Sequence, residues 1–170
     1  MGKGRVKEAN TAGEKPEVTL GQDWQSQAKL MHGRNSVANA DVYLVRVQGK
    51  ELLAKTYVNN PAWARLLLGR WGLSRERRAM AELDTLPGVP RVHGLHAGDT
   101  LLMDYVADAA PVVARRELTP DRYPPLAFFE RLRELTNEMH QRGVAHGDIR
   151  RSNILRTKDK QPVLIDFATA

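Results

Sequence analysis

The hydrophobic residues of the chain follow two different spacings, one typical of strands and one typical of helices. Strand character is strongest in four short segments rich in β-branched, aromatic and leucine residues, namely 41–47, 51–57, 91–95 and 100–105. A short polar turn that contains Gly49 joins the first two segments, and one that contains Gly98 joins the last two. This pattern predicts two β-hairpins.

Two longer stretches have helical character instead. The first covers residues 62–86 and is closed by Pro87-Gly88. In the second, Leu126–Gln141, apolar residues recur at helical spacing, and Gly143 follows as a candidate C-cap residue. Two short strands, 154–156 and 162–165, complete the prediction.

The order of these elements predicts the α+β class. Residues 19–105 form a strand-rich unit with one helical insertion, and residues 106–170 contain a Pro- and Ala-containing connector, a helix, a polar loop and a hairpin. Residues 1–18 are polar without clear periodicity, and we expect a flexible tail there.

Composition narrows the possible chemistry. The chain has no cysteine, which excludes disulfides, thiolate metal sites and cysteine nucleophiles. Its net charge of +6 favours an anionic partner such as a nucleotide, a nucleic acid or a lipid headgroup. No apolar run approaches the roughly 20 residues that span a bilayer, and the first residues do not resemble a secretory signal. We therefore expect a cytoplasmic protein.

Candidate catalytic residues cluster in residues 143–155 (GVAHGDIRRSNIL), directly after the second predicted helix. The Asp148 carboxylate can accept a proton, and the Asn153 amide oxygen suits Mg²⁺, which prefers hard oxygen ligands. Asp166 follows an apolar run, so it would emerge at the end of a buried strand. Taken singly, Asp148 and Asp166 are better explained by an ordinary turn-capping role.

Taken together, His146-x-Asp148-x4-Asn153 and Asp166-Phe167 resemble the catalytic loop and the metal-binding Asp-Phe of the protein-kinase-like superfamily. Conventional protein kinases mostly carry Arg at the place of Gly147. The variant of the motif that carries glycine at this place is similar to that of RIO kinases, small atypical kinases associated with tRNA modification, lipopolysaccharide-kinase-like bacterial kinases and aminoglycoside phosphotransferases. The resemblance implies a two-lobed protein-kinase-like fold, with an N-lobe of antiparallel sheet plus helix and a partial helical C-lobe. It also implies ATP and Mg²⁺ as cofactors.

The resemblance implies a role for each matching residue. Lys55 would hold the α and β phosphates, Asp148 would act on the acceptor hydroxyl, and the metal ligands would be Asn153 and Asp166. The resemblance also implies contacts with the nucleotide. Met103 would stand at the back of the adenine pocket, the backbone of Asp104 to Val106 would hold the base as a hinge, and Ser36 would touch phosphate. The loop that contains Ser36, residues 32–40 (HGRNSVANA), departs from the family pattern because it has Gly33 as its one glycine.

Glu76 is predicted as the partner of Lys55 by a separate argument. On a helical wheel of about 100° per residue it lies within the apolar face of the first helix, whereas Glu82 lies about 100° away. An acid in the middle of an apolar stripe is costly unless it is paired. Lys55 is the natural partner.

The chain ends four residues after Asp166, and Ala168 stands where the family pattern has Gly. We therefore expect the remainder of the C-lobe to be missing, and whether these 170 residues are active alone is left open.

Residues 61–78 (PAWARLLLGRWGLSRERR) place Trp63, Leu67 and Trp71 at i, i+4 and i+8 with arginines between them. One interpretation is a helix lying on an anionic surface at the inner membrane face. The interpretation that we favour is a stripe that packs on its own domain. No specific nucleic-acid-binding module accompanies the basic residues.

The first functional hypothesis is an ATP-dependent phosphotransferase that moves the γ-phosphoryl group to a hydroxyl acceptor, in the manner of a Ser/Thr protein kinase. One alternative is a sugar or lipopolysaccharide kinase at the inner membrane face. The other is a non-catalytic, nucleotide-binding, kinase-like module.

Overall fold

The computed structural model describes residues 18–21, 23–112 and 123–170. The predicted tail, apart from Val18, and the middle of the predicted connector lie outside the described residues. No helix within the described residues is both long and apolar enough to cross a membrane.

The larger sheet has five antiparallel strands in the order β1-β2-β3-β5-β4. Their bounds are β1 (Lys29–His32), β2 (Asp41–Val47), β3 (Lys50–Thr56), β4 (Val92–His96) and β5 (Thr100–Asp104). Both predicted hairpins, β2–β3 and β4–β5, are confirmed to within a residue or two at each end. Strand β1 was not predicted, because its four residues are all exposed and carry no hydrophobic alternation. A 3₁₀ turn, Trp24–Gln27, precedes it.

The predicted first helix consists of three consecutive segments. They are α1 (Ala62–Ala64), a π-helical segment (Arg65–Arg70) and α2 (Trp71–Glu82). A Cβ atom on Gly69 would lie 3.0 Å from the Cβ atom of Tyr57, so the chain passes close to the end of β3 at the widened turn. The helix ends at Glu82 rather than at Leu86, because Leu83 leaves the helical conformation and the chain turns.

The prediction that the Trp/Leu stripe packs on its own domain is wrong. Trp63, Leu67 and Trp71 are 59%, 62% and 63% exposed. The helix buries its opposite face instead, which carries Leu73, Glu76 and Met80.

The C-terminal part contains helix α3 (Leu126–Gln141), with the predicted bounds, and a small three-stranded sheet. Its strands are β6 (Ala110–Pro111), β7 (Ile154–Arg156) and β8 (Pro162–Leu164), paired in that order. Gly143 has the positive φ of a residue just past a helix end. The two-residue strand β6 was not predicted, since it lies in the Pro- and Ala-containing connector.

The two faces of the larger sheet contribute to different clusters of buried side chains. Leu52 and Ala54 of β3 pack with Leu20, Val45 and Leu102 on one face. Side chains alternate along a strand, so the other face of β3 carries Lys55, which pairs in register with Leu101. On that side lies the larger core, which joins the sheet to α2, α3 and the second sheet.

The α+β class is therefore confirmed, with the antiparallel sheet and adjoining helix expected for the N-lobe. The division of the chain at residues 105 and 106 stays a prediction.

Gly88, in the segment between α2 and β4, packs closely against β8 and α3. Its carbonyl oxygen accepts a hydrogen bond from Leu164 N at 2.8 Å, its φ is +98°, and an added Cβ would lie 2.8 Å from Leu135 Cδ2 and 3.0 Å from the Pro162 carbonyl oxygen. We expect Gly88→Ala to lower the free energy of unfolding by about 2 kcal/mol, through backbone strain and overpacking. Urea unfolding followed by circular dichroism measures it.

Gly72→Ala is the matched control, because Gly72 lies in α2 with no heavy atom within 4 Å of an added Cβ. That change should leave stability unaltered or raise it by up to about 1 kcal/mol. Equal effects of the two substitutions would contradict the role given to Gly88.

Candidate active site

Lys55 lies at the centre of an ion cluster that joins three elements of the chain. Its Nζ atom lies 3.0 and 2.8 Å from the two carboxylate oxygens of Glu76 and 2.7 Å from Asp166 Oδ1. Strand β3 provides the lysine, helix α2 the glutamate and the segment after β8 the aspartate. The Lys55–Glu76 pairing predicted from the helical wheel is therefore present, and Asp166 completes it from the C-terminal part.

Burial makes this cluster electrostatically strong. The side chains of Lys55 and Glu76 are 15% and 1% exposed, whereas that of Asp166 is 39% exposed. Burial opposes the charged form of Lys55, but the two carboxylates outweigh it and raise the pKa of the lysine above its ordinary value. Burial likewise opposes the charge on Asp166, yet Lys55 holds the pKa of that carboxyl below its ordinary value. Both groups are charged at neutral pH.

Hydrogen bonds between Asp148 and Asn153 close the loop of residues 148–153. Asn153 Nδ2 donates to both the side-chain Oδ2 and the carbonyl oxygen of Asp148, each at 3.0 Å. Because the amide nitrogen is used in this way, Asn153 Oδ1 is the atom that can ligate a cation, and Ser152 Oγ lies 3.2 Å from it. Arg150 forms an ion pair with Asp148 Oδ2 at 3.1 Å.

His146 fastens this loop to the residue before Asp166. The Asp148 backbone N–H donates to His146 Nδ1 at 3.3 Å, so the ring proton is on Nε2, which donates to the Ile165 carbonyl oxygen at 3.0 Å. The ring is buried and packs on Phe167, with ring centroids 4.4 Å apart. These contacts give His146 a structural role in the loop.

The backbone at Gly147 explains why a glycine stands there. Its φ is +74°, and an added Cβ would lie 2.9 Å from the carbonyl oxygen of Thr169. Thr169 Oγ1 in turn donates to the His146 carbonyl oxygen at 2.9 Å. A side chain at this position would push the loop away from the segment that carries Asp166.

Arg75 is a residue that sequence reasoning missed. Its guanidinium donates from Nε to the Ala170 carbonyl oxygen at 2.7 Å and from Nη2 to the Thr169 carbonyl oxygen at 2.8 Å. Two consecutive residues of helix α2 thus connect it to the end of the chain. Arg75 contacts the residues after Asp166 directly, and Glu76 is linked through Lys55 to Asp166 itself. A contact between residues so far apart in sequence leaves no local pattern by which it could have been found.

The residues expected to hold a nucleotide base lie at the end of β5. Met103 is buried in the larger core. The Asp104 backbone N–H donates to the Arg91 carbonyl oxygen at 2.8 Å, so it is not available to a base, and the contacts of Tyr105 and Val106 stay a prediction.

The Asp104 side chain is paired as well, at 2.7 Å each from Lys50 Nζ and His93 Nε2. Burial acts to raise the pKa of this carboxyl, but the two partners lower it.

Ser36 lies in the exposed loop between β1 and β2, where its carbonyl oxygen accepts a hydrogen bond from Asn39 N at 3.1 Å. Its contact with phosphate also stays a prediction.

The side-chain oxygens of Asp166 and Asn153 are of the chemical kind that Mg²⁺ prefers. The Ile165 backbone N–H donates to the Asn153 carbonyl oxygen at 3.0 Å, which brings Asn153 beside the segment that carries Asp166. Among the described residues there is no group of three or more His, Cys, Asp or Glu side chains that could hold a metal by themselves. A pair of oxygen ligands is nevertheless what Mg²⁺ uses when substrate phosphates supply the rest of its shell.

Comparisons with known proteins identify the family to which the chain is related. The RIO domain family matches residues 53–170, which is more than half of the chain. A probable LIM domain-containing serine/threonine-protein kinase of Dictyostelium discoideum is 27% identical over 142 residues, covering 79% of this chain and 21% of that protein. The chain thus spans about a fifth of the length of this relative.

The sheet, the helix and the lysine–glutamate pair define a protein-kinase-like fold. Within that class, the chain belongs to the RIO domain family. The resemblance stated from the sequence motifs is confirmed at this level.

Substitution of Glu76 tests the ion cluster through stability. In Glu76→Gln the buried ammonium loses one of its two carboxylates, and we expect the free energy of unfolding to fall by about 3 kcal/mol. Glu82→Gln, an exposed change on the same helix, should alter it by less than about 0.5 kcal/mol. A double-mutant cycle with Lys55→Met measures the coupling, and an absence of coupling would contradict the pairing.

Proposed function

We propose that this chain is the nucleotide-binding and catalytic-loop part of an ATP- and Mg²⁺-dependent phosphotransferase. The observation that supports the proposal is the cluster in which Lys55 pairs with Glu76 of the helix and Asp166 of the C-terminal part. In this proposal residues 19–105 are the N-lobe and residues 106–170 begin the C-lobe, and the nucleotide lies between them.

Each side chain has a role in binding the nucleotide. Lys55, oriented by Glu76, donates to the α- and β-phosphates, while Asp166 and Asn153 Oδ1 hold the cation. Bound Mg²⁺ supplies positive charge beside the phosphoryl group that is transferred. The hinge residues Met103, Asp104 and Val106 border the adenine, with the carbonyl of Asp104 and the backbone of Val106 as its contacts, and Ser36 approaches the phosphates.

Asp148 acts on the acceptor in this proposal. Its carboxylate accepts the proton of the acceptor hydroxyl, whose oxygen then bonds to the γ-phosphorus as the bond to the ADP oxygen breaks. Arg150, 3.1 Å from Asp148 Oδ2, and Asn153 keep the carboxylate in one orientation. Most of the rate enhancement then comes from placement and electrostatics, because the protein forms no covalent bond to the phosphoryl group.

A protein serine or threonine is the acceptor that we favour, because the Dictyostelium relative is named as a probable serine/threonine-protein kinase. A sugar hydroxyl is the alternative acceptor. A cytoplasmic location belongs to the proposal, since ATP is supplied there.

A non-catalytic nucleotide-binding module is the second candidate. It is supported by the 39% exposure of the Asp166 side chain, which leaves the proposed metal site open to water in this chain. Binding without transfer would distinguish it from an enzyme.

Asp148→Asn tests the catalytic role. The amide keeps the size of the carboxylate but cannot accept the proton, so transfer of labelled phosphate from ATP to a Ser/Thr peptide mixture should fall by about 10³-fold. Asp159→Asn, an exposed acid in the turn between β7 and β8, is the matched control and should retain the wild-type rate. Equal rates for Asp148→Asn and wild type would exclude Asp148 as the base.

Thermal shift tests the nucleotide site independently of turnover. ATP with Mg²⁺ at about 100 times its dissociation constant should stabilise the protein by about 2.7 kcal/mol. Lys55→Met should lose most of this gain, and Asp166→Asn should lose the part that requires Mg²⁺, each compared with its own ligand-free form. Lys158→Met, in an exposed turn, should behave as wild type. A shift without transfer favours the non-catalytic module, and no shift at all contradicts both candidates.

A further inference from the structure

Helix α2 and the segments before it present a continuous exposed stripe on the side opposite the ion cluster. It consists of exposed residues that lie three, four or seven positions apart: Trp63, Leu66, Leu67, Arg70, Trp71, Arg77 and Arg78. The four large apolar members are between 59% and 63% exposed. Most large apolar residues that remain exposed in a folded domain are scattered singly, so a contiguous row of four marks an interaction surface.

The charges of this segment are divided between the two sides of the helix. Five arginines and one glutamate lie between Pro61 and Met80. Arg65 is bound to Asp99, Arg75 is bound to the carbonyl oxygens of Thr169 and Ala170, and the glutamate is buried against Lys55. The exposed arginines are those of the stripe itself, and its net charge is therefore positive.

We propose that this stripe docks on an anionic lipid bilayer surface. Tryptophan prefers the boundary between headgroups and acyl chains, leucine enters the apolar layer, and arginine pairs with anionic headgroups. A stripe of about 16 residues is about 24 Å long, enough to lie along a membrane rather than to fill a small pocket.

Two other occupants fit the stripe less well. A second copy of the chain packed by a twofold axis across the middle of the stripe would bring Arg70 toward its own copy. An acidic protein groove would satisfy the arginines, but the two exposed indoles are characteristic of interfacial helices.

Docking on this face leaves the proposed nucleotide site undisturbed. Glu76 points into the core from the opposite side of α2 and keeps its contact with Lys55. Membrane binding is therefore independent of the proposed phosphotransferase activity, and one can fail while the other stands.

Vesicle co-sedimentation of the whole chain tests the proposal. We expect binding to phosphatidylcholine vesicles that contain phosphatidylserine and at least about tenfold weaker binding to phosphatidylcholine alone. The tryptophan emission should shift to shorter wavelength on binding, because Trp63 and Trp71 leave water. Trp63→Ala with Leu67→Ala, and separately Arg77→Glu with Arg78→Glu, should each reduce binding by at least about tenfold.

The stripe variants leave Trp71 unchanged, because its ring lies 5.5 Å from the Arg75 guanidinium. The controls change exposed residues elsewhere in the chain. Leu126→Ala with Phe129→Ala on α3, and Lys158→Glu with Lys160→Glu in the β7–β8 turn, should bind vesicles as wild type does. Circular dichroism and the ATP-induced thermal shift should be the same for stripe variants and wild type.

Three results would overturn the proposal. One is an absence of binding by folded protein to the anionic vesicles. Another is binding that the stripe variants retain, which would assign it to other basic residues. The third is dimerisation in analytical ultracentrifugation that Trp63→Ala abolishes while vesicle binding is absent, which would make the stripe a contact between copies.

Discussion

The buried ammonium group of Lys55 is the constraint on which the rest of the site depends. An unpaired charge in this position would be strongly destabilising, so the fold must bring carboxylates to it. Glu76 comes from the helix and Asp166 from a segment more than a hundred residues away in sequence. The two contacts together fix the position of α2 against β3 and the position of the C-terminal part against both. Packing of α2, α3 and the second sheet in one core supports the same arrangement with apolar contacts.

The segment around Asp166 is held from several directions, and this determines where its carboxylate lies. His146 binds the carbonyl oxygen before it, and Arg75 binds the carbonyl oxygens after it. Asp166 itself has a φ of +68°, a conformation that an aspartate adopts at a cost and keeps where its surroundings determine it. Close approach of Thr169 to Gly147 completes the connection between the two loops. A charged side chain held in this way needs little reorganisation when a charged ligand arrives.

The parts of the structure that could be predicted from sequence are those with local physical causes. Alternating residues with a glycine-containing turn predicted both hairpins, and an acid within an apolar helix face predicted the partner of Lys55. Strand β1 could not be found, because an exposed edge strand of four residues has no hydrophobic pattern. The exposure of Trp63 was misjudged because amphipathic spacing shows that one face differs from the other, not which face meets the core. Arg75 was missed because its contacts are made across the fold.

A crystal structure of the chain with a non-hydrolysable ATP analogue and Mg²⁺ tests the central claim most directly. The account predicts that Lys55 Nζ moves from Asp166 to a phosphate oxygen while it keeps Glu76, and that the metal ion lies between Asp166 and Asn153 Oδ1. Nucleotide bound elsewhere, with Lys55 still paired to both carboxylates, would contradict it.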